Sequence, residues 1–192
     1  DPTKSGSITK AFENLIQQQM QSRLVELSRP NQGVVTAEIE EQAVREGWIE
    51  GMRILRLLGA NARYFTDSSQ KPPIDVSQGN SAAGVCIDFY GRYQAEAVKR
   101  RDDSARLVYV TPQGGTVSSV DPIGLLRGAP NADVAEAFIE YTLSMEGQKL
   151  WNFKVGTPEG PQRFALRRLP VRREYYAHTE WQELRSDPDA EP

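Results

Sequence analysis

Apolar residues Ile8, Phe12, Leu15 and Ile16 recur at helical spacing, and the pattern predicts one helix over residues 7–28. Pro30 and Gly33 then break it. A second helical stretch is predicted over 36–58, carrying Ile39, Ala43, Trp48, Met52, Leu55 and Leu58 ahead of the stop at Gly59. Gly47 and Gly51 interrupt it and mark a kink or a tight packing contact. Three short apolar runs read as strands: ARYF at 62–65, AAGVCIDFY at 82–90 and ARLVYVTP at 105–112. Between the first two lies a polar, Pro- and Gly-punctuated loop with one helical turn around Asp75. GRYQAEAVKRR continues the second run as a helix. Asp121 and Pro122 are expected to cap and open a short helix, and 132–151 forms an amphipathic helix through Val134, Ala135, Phe138, Ile139 and Leu143. From Gly156 onward Pro, Arg and acidic residues dominate, and the last twenty residues read as an exposed tail or an arm. Helices alternating with buried strands predict an α/β domain with a mixed sheet.

Composition narrows the function classes. The 192 residues are 39% hydrophobic and 26% charged, as in an ordinary folded domain, and the net charge of −3 argues against a nucleic-acid surface. No apolar run approaches the ~18 residues of a membrane span. A single cysteine, Cys86, leaves no internal disulfide and no cysteine-based zinc site.

Catalytic constellations are hard to assemble. The lone histidine, His178, falls in the polar tail, and Cys86 sits among apolar neighbours as an inert thiol. Neither a phosphate-binding GxxxxGK[ST] loop nor a GxSxG elbow is present. The polar groups that remain stand at predicted strand and helix ends. Ser5, Gly6 and Ser7 open the first helix, where free N–H groups and hydroxyls suit an anion, although a serine there serves as an ordinary N-cap in most helices. Asp88, Phe89 and Tyr90 end the second predicted strand, Ser118 and Asp121 precede the Pro122 helix, and Asp75 fits a turn better than a site. Such a set, without a base and nucleophile, suits binding better than catalysis, with no cofactor implied.

DPTKSGSITKAF, GWIEGMRILRLLGANARYF, VSQGNSAAGVCIDFY and VDPIGLLRGAPNADVAEAFIEYTLSMEGQKLW resemble, in that order, the second half of extracellular solute-binding proteins of ABC importers. The resemblance covers residues 1–176 and points to the ferric-iron-type periplasmic group. It implies two α/β lobes with a ligand clamped between them. The chain would supply the second lobe, residues 1–155, and a return segment with a polar tail, 156–192. It also implies a periplasmic location, with a signal peptide upstream of this segment, and an inner-membrane ABC permease as partner.

Carried over residue by residue, the resemblance places Ser5, Gly6 and Ser7 at the cleft as anion donors. Residues 116–121, with Ser118 and Asp121, line its hinge side. Ferric-binding relatives use two adjacent tyrosines where this chain has Phe89-Tyr90. Phenylalanine cannot ligate, so Tyr90 alone remains as a phenolate for Fe³⁺, and the set suits a small organic or inorganic anion as well as iron. Asp88 would orient the ligand or pair with a cation. Three readings follow. The first is a binding protein for transport, and the second a sensory receptor on the same fold. The third is an α/β enzyme domain holding a phosphorylated substrate at Ser5-Gly6-Ser7, with Asp88 or Asp121 as general base.

Overall fold

The computed structural model describes residues 6–99, 104–112, 116 and 121–190. The chain divides into two compact units, Asp1–Val117 and Ser118–Pro192.

The first unit is built on two long helices, α1 (Gly6–Ser28) and α2 (Ala37–Asn61). α1 ends where Pro30 enters a 3-10 turn and Gln32 and Gly33 take up positive φ, so that the Gly33 N–H returns to the Ser28 carbonyl at 2.9 Å. α2 starts at Thr36, whose Oγ1 accepts from the Ile39 N–H, with Glu38 and Glu40 in its first turn. Backbone and Thr36 hydrogen bonds hold the Glu38 carboxyl below its ordinary value, as expected at a helix N-terminus.

The glycines the sequence singled out are packing positions. A Cβ on Gly47 would collide with the Met20 backbone, and one on Gly51 would sit 2.9 Å from the Ile16 Cα. Gly47 on Met20 and Gly51 on Ile16 make the helices antiparallel, with backbones closer than side chains would permit. Arg23 braces the pair by bonding Glu26 on its own helix and Glu46 on α2.

α3 (Lys71–Ser77) and α4 (Asp88–Ala97) pack on each other in the same unit. Gln94 donates to the Ser77 hydroxyl at 2.9 Å. Asp75 is buried and accepts from the Tyr64 hydroxyl and the Lys71 ammonium, an anchor rather than an exposed turn residue.

The mixed sheet expected from the sequence is not there. Among the described residues no strand forms, and the only ladder-like pairing is the isolated bridge Phe153–Arg185; the fold is helical. Residues 62–65, 83–87 and 107–112 are non-helical but pair in no ladder among the described residues, and β propensity without a partner strand does not make a sheet. Asp88, Phe89 and Tyr90, read as a strand end, are instead the first turn of α4. No helix follows Pro122 either: residues 121–126 are irregular, so Asp121 caps nothing.

In the second unit the helix expected over 132–151 is two helices, α5 (Ala132–Leu143) and α6 (Met145–Asn152). Ser144 is extended between them, and its hydroxyl accepts from the Gly147 N–H at 3.1 Å, starting a new helix. A Cβ on Gly147 would strike the Tyr141 carbonyl, so the bend needs glycine there. Gln148 locks the corner by donating to the Thr142 carbonyl at 2.7 Å and accepting from the Val171 N–H at 2.7 Å.

The supposed tail carries this unit's core. The short helix α7 (Arg173–Ala177) and the 3-10 turn Thr179–Leu184 bring Tyr175 and Trp181 onto Phe153, with ring centroids 5.6–6.0 Å apart. Tyr175 is 0% exposed and its hydroxyl donates to Asn152 Oδ1. Arg185, 3% exposed, lies beside the Tyr175 and Tyr176 rings and donates to the carbonyls of Tyr175 and His178. Its Nη2 is paired with carbonyls and its plane lies against aromatic faces, while the buried Nε has no hydrogen-bond partner; a guanidinium can be held this way without a carboxylate, which is why the polarity of this stretch misled. His178 stacks on Trp181 at 3.8 Å and meets Glu180 through Nδ1 at 2.7 Å.

Burial pushes the Tyr175 hydroxyl up to about 12, against the opposing pull of Arg185. The fold favours the neutral form, so this contribution is complete below the ordinary value of 10.0 and is lost as pH rises through about 12. Urea unfolding of the chain in alkaline buffer is expected to show falling stability across that window. In Tyr175→Phe the alkaline fall should shrink; an identical fall in both proteins would assign it elsewhere.

Candidate functional site

The residues the sequence nominated occupy three places. Gly6 and Ser7 form the first turn of α1 and are exposed. Ser7 lies inside the helix rather than at its cap, and Ser5, like Ser118, lies outside the described residues. Asp88, Phe89 and Tyr90 form the first turn of α4, each half-buried. Asp121, in the second unit, is exposed and ion-paired with Arg168.

The α4 turn has the more developed chemistry. Its cap, Ile87, offers no side-chain acceptor, and the first helical bond inside the turn is Gly91 N–H to the Ile87 carbonyl at 3.2 Å. This is the positive end of the helix, and the Asp88 carboxylate stands in its first turn. The Phe89 and Tyr90 rings sit 4.1 Å apart at 41°, a two-ring wall on that turn.

Behind the turn, Gly91 is buried under the Tyr109 ring and the Cys86 thiol; a Cβ there would sit 3.0 Å from the sulfur. Arg92 places its guanidinium 5.3 Å from the Tyr109 ring. Burial first, and the Asp88 charge second, push the Cys86 thiol up, so it is a packed thiol and not a nucleophile. Burial likewise raises the Tyr109 hydroxyl, with Asp88 adding to the effect and a Thr111 hydrogen bond opposing it.

Sequence reasoning missed Tyr109 and Arg92, since Tyr109 sat inside a supposed strand and Arg92 on a supposed surface helix. The signal available was Gly91, a residue whose missing side chain admits a ring.

Among the described residues no hydrogen bond or ion pair joins Gly6 or Ser7 to Asp88 or Tyr90: α1 packs on α2, and α4 on α3. One bond ties α1 toward the segment expected to line the cleft, Asn14 Nδ2 to the Thr116 carbonyl at 2.9 Å. No group of three or more His, Cys, Asp or Glu side chains stands close enough to hold a metal among the described residues. Between α1 and α2 runs a polar groove of about 350 Å³ lined by Gln19, Ser22, Arg23, Glu26 and Glu46, and none of the nominated residues reaches it.

Comparison with known proteins agrees with a binding role. A Haemophilus influenzae protein, named only as an uncharacterized protein, is 32% identical over 101 residues, which make up 53% of this chain and 28% of that one. The chain thus matches little more than a quarter of that relative's length. No solved structure is significantly similar. Residues 15–163 match the family model described as bacterial extracellular solute-binding protein, and they include α2, the α4 turn and the α5–α6 corner. The chain belongs to the bacterial extracellular solute-binding protein family.

Proposed function

We propose that the chain is part of the substrate-binding component of an ABC importer, acting in the periplasm and delivering its ligand to an inner-membrane permease. The family match over residues 15–163 carries this reading. In it, the chain forms one side of a ligand cleft whose other side comes from further polypeptide, and hinge closure around the ligand is the working motion. The ligand is a small anion or a ferric complex, held at the first turn of α4. The positive end of the helix there would favour an oxyanion, the Phe89–Tyr90 wall would cover its apolar face, and Asp88 would select for a protonated or cationic group or a metal carried with the anion. Ser5, Gly6 and Ser7 are proposed as a second set of anion donors, and Ser118 and Asp121 as further ligand-binding residues.

The Tyr90 hydroxyl separates this reading from mere packing. In a thermal-shift panel of ferric citrate, phosphate, sulfate and small dicarboxylates, a true ligand at ~100 times its dissociation constant adds about 2.7 kcal/mol of stability. Tyr90→Phe should weaken affinity for that ligand about 10–100-fold, the value of a hydrogen bond to a charged group, without changing the unliganded melting temperature. Unchanged affinity in Tyr90→Phe would remove the hydroxyl from the site.

A further inference from the structure

We infer that Tyr109 is a positioning residue for the first turn of α4: its ring, seated against Gly91, fastens the segment 104–112 behind Asp88, Phe89 and Tyr90 and holds that turn in place. The consequence for binding rests on the solute-binding reading above, whereas the contact itself does not. Gly91 is buried in α4, directly after Tyr90. A Cβ there would overlap the Tyr109 ring and stand 3.0 Å from the Cys86 sulfur, so the ring fills the space in which any other residue would carry its side chain. Only glycine leaves it that room.

The next residue of the helix holds the same ring from its face, since the Arg92 guanidinium lies over it at 5.3 Å from the centroid. Two consecutive residues of α4 thus grip one side chain. Val108 and Val110, which flank Tyr109, are each 69% exposed, whereas Tyr109 is half-buried, so the ring and not its neighbours fastens the segment. The Asp88 charge reaches the same place: after burial it is what pushes up the Cys86 thiol, and it adds to the burial that pushes up the Tyr109 hydroxyl. A binding turn keeps its geometry only when the groups behind it are locked by packing, and Tyr109 supplies that lock one residue from the Phe89–Tyr90 wall.

Cys86 is the chain's single cysteine, so its rate of alkylation by iodoacetamide reads this contact at one atom. Tyr109→Ala should be alkylated about tenfold faster than the wild type, and Tyr109→Phe, which keeps the ring, at the wild-type rate. Gly91→Ala should resemble Tyr109→Ala because its Cβ displaces the ring, and Gly91→Ala/Tyr109→Ala should be no faster than the faster single variant, since both changes break one contact. Val108→Ala, an exposed position in the same segment, should leave the rate unchanged. Circular dichroism should report equal helix content throughout; if Gly91→Ala loses helix, Tyr109→Ala against Tyr109→Phe decides alone. Toward any of ferric citrate, phosphate, sulfate or a small dicarboxylate that stabilises the wild type, Tyr109→Ala should lose affinity by about tenfold and Tyr109→Phe should retain it. A wild-type alkylation rate in Tyr109→Ala, rate increases that multiply in the double variant, or undiminished affinity in Tyr109→Ala would each overturn the proposal. A wild type stabilised by none of these compounds would count against the solute-binding reading alone, and the alkylation rates would still decide whether Tyr109 holds the turn.

Discussion

Asp187→Ala is expected to lower the stability of the second unit by about 3–5 kcal/mol. Arg167 and Asp187 are both buried, and the guanidinium grips the carboxylate with two bonds, Nε to Oδ2 at 3.0 Å and Nη2 to Oδ1 at 2.6 Å. Arg167 does this from a positive φ of 54°, a conformation costly for a side-chain-bearing residue. The pair fixes a kinked segment against the chain's C-terminal stretch, and removing one partner leaves an uncompensated buried charge. Replacing both, as Arg167→Met/Asp187→Leu, should therefore cost less than Asp187→Ala alone. Urea unfolding of the three proteins measures the order. A double variant less stable than Asp187→Ala would show that the pair stabilises by more than avoiding an orphaned charge.

The other large effect is expected at Phe153, where truncation to alanine should cost about 3–5 kcal/mol. Phe153 is 2% exposed, and its ring meets both Tyr175 and Trp181. Its backbone forms the bridge to Arg185 and is flanked by Lys154 N–H to the Leu184 carbonyl at 2.8 Å and Ser186 N–H to the Asn152 carbonyl at 2.7 Å. The side chain thus anchors the segment that its backbone bonds hold, and the cavity would open beside hydrogen bonds that need exclusion of water. Hydrogen exchange should show residues 175–186 losing protection together in Phe153→Ala. Loss confined to residue 153 and its neighbours would mean that the C-terminal segment is held by Arg167–Asp187 alone.

What the sequence revealed and what it hid follow from the range of the interactions involved. The end of α1 and the start of α2 were legible because their signals are local: Pro30 and Gly33 after one helix, the Thr36 hydroxyl before the next; the expected stop at Gly59 was wrong, since α2 runs on to Asn61. Gly47 and Gly51 were readable as close-approach positions, although the partners, Met20 and Ile16, were not.

The strands failed because an apolar run specifies an extended chain only when another backbone lies beside it, and nothing in GVCIDFY or LVYV states whether one does. The Ser144 break was readable and was missed: a serine followed by an acidic residue, Glu146, in the next turn is a helix-start signal inside an otherwise continuous amphipathic pattern. The C-terminal core was not readable at all, since the partners of Tyr175, Arg185 and Asp187 lie far away in sequence, as Phe153 does from Arg185. At the candidate site, Asp88, Phe89 and Tyr90 were found by their position at the end of an apolar run. The element was misread as a strand end, whereas these residues open a helix.

A native mass spectrum of the protein purified gently from cells, with metal analysis of the same sample, tests solute binding most directly. The account predicts a small non-covalent mass or stoichiometric iron, diminished in Tyr90→Phe. A protein that carries nothing, gains no stability from any anion or ferric complex, and instead turns over a phosphorylated compound would contradict it.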